Sequence, residues 1–112
     1  MQAPINQAQL QELRELLDDE FDTLIESYIA DSKTRLKAVQ RAFDQRDNAA
    51  GYEAIHSLKG ASANLGATRL AELCLKLQVE CKANRISSNE ILIQMIQEEQ
   101  EAVSAYLLTL IQ

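Results

Sequence analysis

Apolar residues recur along the chain at spacings of three and four, the period of a helix with one buried face, and nowhere alternate as they do in a strand. Five segments follow from that pattern. The first, about Gln7 to Leu17, has Asn6 as its cap and Leu10, Leu13 and Leu17 on one side, a short helix suited to lie over one end of a core. The second, about Glu20 to Arg46, carries Phe21, Leu24, Ile25, Tyr28, Ser32, Leu36, Val39 and Phe43 in one long stripe. Its acids lie early and its bases (Lys33, Arg35, Lys37, Arg41, Arg46) late, the order that the helix dipole favours. The third, about Ala49 to Leu65, follows Asp47-Asn48 and stops at Gly66, a residue suited to a left-handed C-terminal turn. The fourth, about Thr68 to Asn84, presents Leu70, Leu73, Cys74, Leu77 and Cys81. The fifth opens at a capping box, Ser87-x-x-Glu90, and carries Leu92, Met95, Ile96, Val103, Tyr106, Leu107 and Leu110 towards the C-terminus.

Four long amphipathic helices joined by short loops predict an all-α fold, an antiparallel up-and-down four-helix bundle with the short first helix capping one end. The 112 residues, 46% of them hydrophobic, suffice for one core, so the expectation is one domain over residues 1–112. Three glycines and one proline argue against a turn-rich sandwich or barrel. No run is long and apolar enough to span a membrane, and Met1-Gln2-Ala3-Pro4-Ile5-Asn6 lacks the basic start and apolar stretch of a signal peptide. The expectation is a cytoplasmic protein without a membrane partner; Met1 and the lack of linker tails favour a free-standing one.

Charge narrows the function classes. Eleven basic against seventeen acidic residues leave a net charge of −6, which disfavours a sequence-independent nucleic-acid binder, since that affinity comes from neutralising phosphates. The distribution is uneven: from Met1 to Asp31 eight acidic residues accompany only Arg14, whereas from Tyr52 to Arg85 five basic residues face three acidic ones. Cys74 and Cys81 are seven apart, roughly 10 Å along a helix axis, too far for a disulfide between them, so both are expected as buried thiols. With one histidine in the chain, a Cys/His zinc site lacks ligands, and no metal is expected.

On the third helix, Ile55, Leu58, Ala61, Ser62 and Leu65 cluster on one side, and His56, Lys59, Gly60 and Ala63 on the other. The single histidine therefore faces solvent in mid-helix, with a lysine one turn on. Gly60 in a helix interior costs about 1 kcal/mol relative to alanine, and Gly51 adds a similar cost. A glycine at i+4 from His56 clears space beside the imidazole for another macromolecule, and Ala63 keeps the next turn small. A neutral imidazole beside an ammonium suits nucleophilic attack on an activated anionic group, and phosphoryl transfer fits best, with the lysine offsetting charge on the phosphoryl oxygens. The methionines and tyrosines are expected in the core or at the bundle edge.

The run His56-Ser57-Leu58-Lys59-Gly60-Ala61-Ser62-Ala63-Asn64-Leu65-Gly66-Ala67 resembles the signature of histidine phosphotransfer (HPt) domains, H-x-x-K-G-x-[SA]-x-x-[LI]-G. The helical pattern agrees from about Leu10 to Leu110. The resemblance implies a phosphorelay intermediate in two-component signalling: His56 accepts a phosphoryl group from the phospho-aspartate of one receiver domain and passes it to the aspartate of another. It implies that Lys59 assists electrostatically and that Gly60 permits close docking. Gln78 and Lys82 stand where many members carry a glutamine and a basic residue on the following helix, so Gln78 would hydrogen-bond the imidazole or phosphoryl group and Lys82 would favour an acidic receiver surface. The resemblance further implies a carrier without autokinase activity and without a cofactor of its own, Mg²⁺ being held by the receiver, in a protein expected to be monomeric.

Glu53-x-x-His56 has the ligand spacing of di-iron bundles, but such a site needs two histidines. The phosphoacceptor domain of a sensor kinase usually follows its histidine with an acidic residue and then a proline; here Ser57 follows and no proline appears after Pro4. There is also no glycine-rich nucleotide loop. The remaining alternative is a helical module that sequesters a response regulator without phosphotransfer.

Overall fold

The computed structural model describes residues 3–111. They form α1 (Gln7–Leu17), α2 (Phe21–Gln45), α3 (Asn48–Asn64), α4 (Thr68–Lys82) and α5 (Glu90–Leu108), with single 3₁₀ turns at Asp18–Glu20 and Ile86–Ser88. No strand occurs among the described residues, and none of their helices is long and apolar enough to cross a membrane. Met1, Gln2 and Gln112 lie outside the described residues; within them the last helix stops at Leu108, with Thr109 as its C-terminal cap, short of the expected run to the C-terminus.

Each long helix runs against its neighbours. Tyr28 meets Ser62 and Ala42 approaches Gly51, so α2 and α3 are antiparallel. Gly51 lies by Cys81 while His56 meets Gln78, which opposes α3 to α4. Arg69 pairs with Glu99 and Glu80 bonds Asn89, opposing α4 to α5. Gln100 reaches Ser32 and Gln97 reaches Gln40, which closes the ring between α5 and α2. Short connections leave the chain no other economical packing.

Caps and glycines set the helix ends. Asn6 accepts from the Gln9 amide at 3.0 Å, and Asp47 accepts from the Ala50 amide at 3.0 Å, each satisfying an otherwise unpaired donor in a first turn. Gly66 ends α3 at φ +84°, in the left-handed region, and its carbonyl accepts from the Asn6 amide at 2.8 Å, which pins the N-terminal segment to the end of α3. Gln9 Nε2 donates to the Ala63 carbonyl at 2.8 Å, so α1 covers that end of the bundle as expected.

Two expectations are corrected at the start of α5. Ser87 does not cap the helix: it lies within the 3₁₀ turn, and Asn89 holds the cap position without a side-chain cap bond. The turn forms because Ile86 is fully buried, and Asn89 spends its amide on Glu80 and the Arg85 carbonyl. The buried stripe of α5 also runs through Ile93, Ile96, Gln100, Val103, Ser104 and Leu107, leaving Met95 exposed at the bundle edge. Gln100 is tolerated inside because it donates to Ser32 Oγ at 2.9 Å and Ser104 Oγ at 2.8 Å.

Ile25, Val39, Ile55, Leu70, Leu77, Ile96, Val103 and Leu107 have no exposed surface and form the centre of the core. Gly51 belongs to this packing: a Cβ there would stand 2.6 Å from Ile86 Cδ1 and 3.2 Å from Cys81 Sγ. The glycine thus lets α3 approach α4 and the Ile86 turn closely, which offsets its conformational cost.

Candidate functional site

The inner face of α3 buries Ala54, Ile55, Leu58, Ser62 and Leu65. Turned away from them are the exposed His56, Gly60 and Ala63 and the half-buried Lys59 and Tyr52. The period of the helix produces this split, and the core contacts of the inner face hold the outer one in place.

His56 meets two side chains. Its Nδ1 lies 3.4 Å from Oε1 of Gln78 on α4. Its ring stacks on Tyr52, one turn earlier, with centroids 5.9 Å apart and planes within 4° of parallel. Gln78 in turn donates from Nε2 to the Tyr52 hydroxyl at 3.3 Å, closing a loop of three side chains across the α3–α4 seam. Because an amide oxygen only accepts, the contact at Nδ1 requires a proton there, and in the neutral ring this leaves the Nε2 lone pair free. Nothing lies within 4 Å of a Cβ placed on Gly60, so the surface one turn beyond His56 is open.

Lys59 stands three residues after His56, the spacing of neighbours on a helical face. Its ammonium also acts on Cys74 in α4: burial pushes that thiol up to about 12, and Lys59 opposes the rise. Burial pushes Cys81 up to about 11. Both cysteines are free and buried, as expected from their spacing. Lys82 is exposed one turn beyond Gln78 and borders a shallow depression that Tyr52 and Glu53 also line, at the edge of the site rather than inside it. Ala63 is exposed, with its carbonyl held by Gln9.

Behind the histidine, the Tyr28 hydroxyl and Ser62 Oγ lie 2.8 Å apart in the interior. Burial pushes the Tyr28 hydroxyl up to about 12, with the bond to Ser62 opposing the shift. Tyr28 is thus a core residue, as expected. Tyr52 is half-buried at the bundle edge, as expected, and it also touches His56; its place at i−4 from the only histidine was the signal available in the sequence.

A protein-family model described as the Hpt domain matches residues 6–106, nearly the whole chain and the whole of this site. The chain belongs to the Hpt domain family. Its role is that of a histidine phosphotransfer protein in a phosphorelay, the class of protein that works with receiver domains. Among solved structures, this Hpt protein is similar to histidine-containing phosphotransfer protein B (HptB) from Pseudomonas aeruginosa PAO1, with 27% identity and a TM-score of 0.92 over 97% of this chain and 95% of that one. The HPT domain of an Hpt sensor hybrid histidine kinase from Shewanella shares the fold at 18% identity and a TM-score of 0.81, over 96% of this chain and 93% of that one. The sequence matches none of the curated proteins with which it was compared.

Proposed function

We propose that His56 is the phosphoryl carrier of this protein, taking its load from a phospho-aspartate of one receiver domain and giving it to the aspartate of another. The observation that carries this reading is the exposed imidazole, engaged at Nδ1 by Gln78 and open at Nε2 beside the bare surface of Gly60. The Nε2 lone pair forms the N–P bond while the P–O bond to the aspartyl carboxylate breaks and its electron pair leaves with the carboxylate. The ring keeps the Nδ1 proton during attack and so becomes an imidazolium, whose charge the Gln78 oxygen stabilises. Transfer to the second receiver is the reverse of this step.

In this reading the ammonium of Lys59 attracts the phosphoryl oxygens and offsets their charge as the bond is made. Gly60 and Ala63 keep the surface low so that the receiver's aspartate can reach the ring. Lys82 draws in an acidic receiver surface, and the exposed Leu75 and Val79 on either side of Gln78 in α4 add apolar contact area. Mg²⁺ is held by the receiver. The carrier works as a monomer in the cytoplasm, and its two cysteines, kept as free thiols, accord with a reducing compartment.

The test incubates the protein with a phosphorylated receiver domain and Mg²⁺. An acid-labile, base-stable phosphoryl group is expected on the wild type and absent from His56→Gln. Equal labelling of both proteins would overturn the assignment of His56, and binding without label across a broad receiver panel would make the protein a sequestering module.

A further inference from the structure

The loop of contacts around His56 contains one member to which the phosphotransfer chemistry assigns no part. Tyr52 touches the imidazole through its ring and Gln78 through its hydroxyl, and it lies on the same helix as the histidine, one turn before it. We propose that Tyr52 is a positioning residue for phosphoryl transfer: it sets the orientation of the Gln78 amide, and thereby the tautomer of His56, and its ring face steadies the imidazole as positive charge grows there. This rests on the reading of His56 as the carrier.

The Gln78 amide carries the effect. A glutamine side chain can turn over, exchanging its oxygen and its NH₂ with little change in shape. With the oxygen towards His56, Nδ1 must carry the proton and Nε2 is the nucleophile. With the NH₂ towards His56, Nδ1 must accept, the proton moves to Nε2, and the solvent-facing nitrogen is blocked for attack. On α4, Gln78 is flanked by the apolar Leu77 and Val79, and among the described residues its side chain hydrogen-bonds to His56 and Tyr52 alone. The Tyr52 hydroxyl, by accepting from Gln78 Nε2 at 3.3 Å, ties the amide's nitrogen end away from the histidine. The near-parallel stack then places the electron-rich face of the phenol against a ring that becomes cationic during attack. Tyr52 itself is held because it packs against the core cluster beside Gly51, whose missing side chain lets α3 and α4 approach.

Two variants separate the roles: Tyr52→Phe keeps the ring and loses the hydroxyl, and Tyr52→Leu loses both. As the chain has one histidine, the ¹⁵N resonances of a single imidazole report its tautomer without assignment by mutation. In the wild-type protein the neutral ring is expected mainly protonated at Nδ1. In Tyr52→Phe the population shifts towards Nε2–H, and transfer from a phosphorylated receiver slows on the order of fivefold with an unchanged melting temperature. Tyr52→Leu slows transfer further and also moves the pH profile of transfer, because the imidazolium has lost its stacked neighbour. An unchanged tautomer ratio in Tyr52→Phe would overturn the proposal, whether or not transfer slowed, since a rate effect alone would mean a docking contact. The tautomer is read without any receiver, so failure of the relay reading and failure of this one are distinguishable.

Discussion

Two hydrogen-bonded tyrosines lie on opposite sides of α3, and they differ in almost every physical respect. Inside, Tyr28 and Ser62 face each other at 2.8 Å, both shut away from solvent. Outside, Tyr52, Gln78 and His56 are linked at 3.3 and 3.4 Å, half-buried or exposed. An interior polar pair has to be short and complete, because an unpaired buried hydroxyl costs on the order of 1–3 kcal/mol. A reactive group has to exchange its neighbours for a partner's atoms and return, so looser contacts suit it. α3 thus contributes to a closed cluster that holds the fold and to an open one that the proposed function uses for the chemistry.

The largest effect that separates the two is expected from His56→Gln, which should abolish phosphoryl transfer while changing stability by less than about 0.5 kcal/mol, as is usual for an exposed position. Transfer assays and thermal melts on the same preparation check both halves. Tyr28→Phe should do the converse. It leaves Ser62 without its buried partner, lowers stability by about 1–2 kcal/mol in urea titrations and leaves transfer at the wild-type rate. A loss of transfer in Tyr28→Phe at a temperature where it stays folded would mean that the two clusters are coupled.

Alkaline pH offers a third separation. Burial raises Cys74 from 9.0 to about 12, Cys81 from 9.0 to about 11 and Tyr28 from 10.0 to about 12. The unfolded chain therefore releases these protons first, and in that window it binds fewer of them than the folded one does, so stability falls with rising pH. The contribution is whole below pH 9 and is lost progressively up to about 12. Melting temperatures should decline over this range, and Tyr28→Phe should flatten the part above pH 10. A flat profile in the wild type would contradict the burial of the three groups.

The smallest expected effect is the most pointed. Gly60→Ala meets no atom and adds helix propensity, so it should raise stability by about 0.5–1 kcal/mol. It should nevertheless slow transfer, because the added methyl stands where the receiver approaches. Faster or unchanged transfer would remove the docking role from Gly60.

Most of the architecture was legible in the sequence because helical periodicity and caps are local signals. Asn6 and Gly66 mark their helix ends where expected, Asp47 caps α3 one residue ahead of the expected start, and the projection of α3 separates His56 from the core without any tertiary knowledge. What escaped depends on contacts between elements. Ile86 is a lone apolar residue in a connection, with no period to reveal it, yet its burial creates the turn that displaces Ser87 from the cap position. Gly51 read as a cost until its neighbours Cys81 and Ile86 were in place. Gln100 reads as polar surface, and only the serines on α2 and α5 explain its burial. The family signature brought His56, Lys59 and Gly60 into view but left Tyr52 unmarked, although its spacing from the histidine was there to be read.

The most direct measurement is an NMR spectrum of ¹⁵N-labelled protein after transfer from a phosphorylated receiver, read for ¹⁵N–³¹P coupling in the single imidazole. Coupling to Nε2 of His56 is expected, with the proton retained on the Nδ1 side that faces Gln78. Coupling to Nδ1, or a phosphoryl group found elsewhere on the chain, would contradict it.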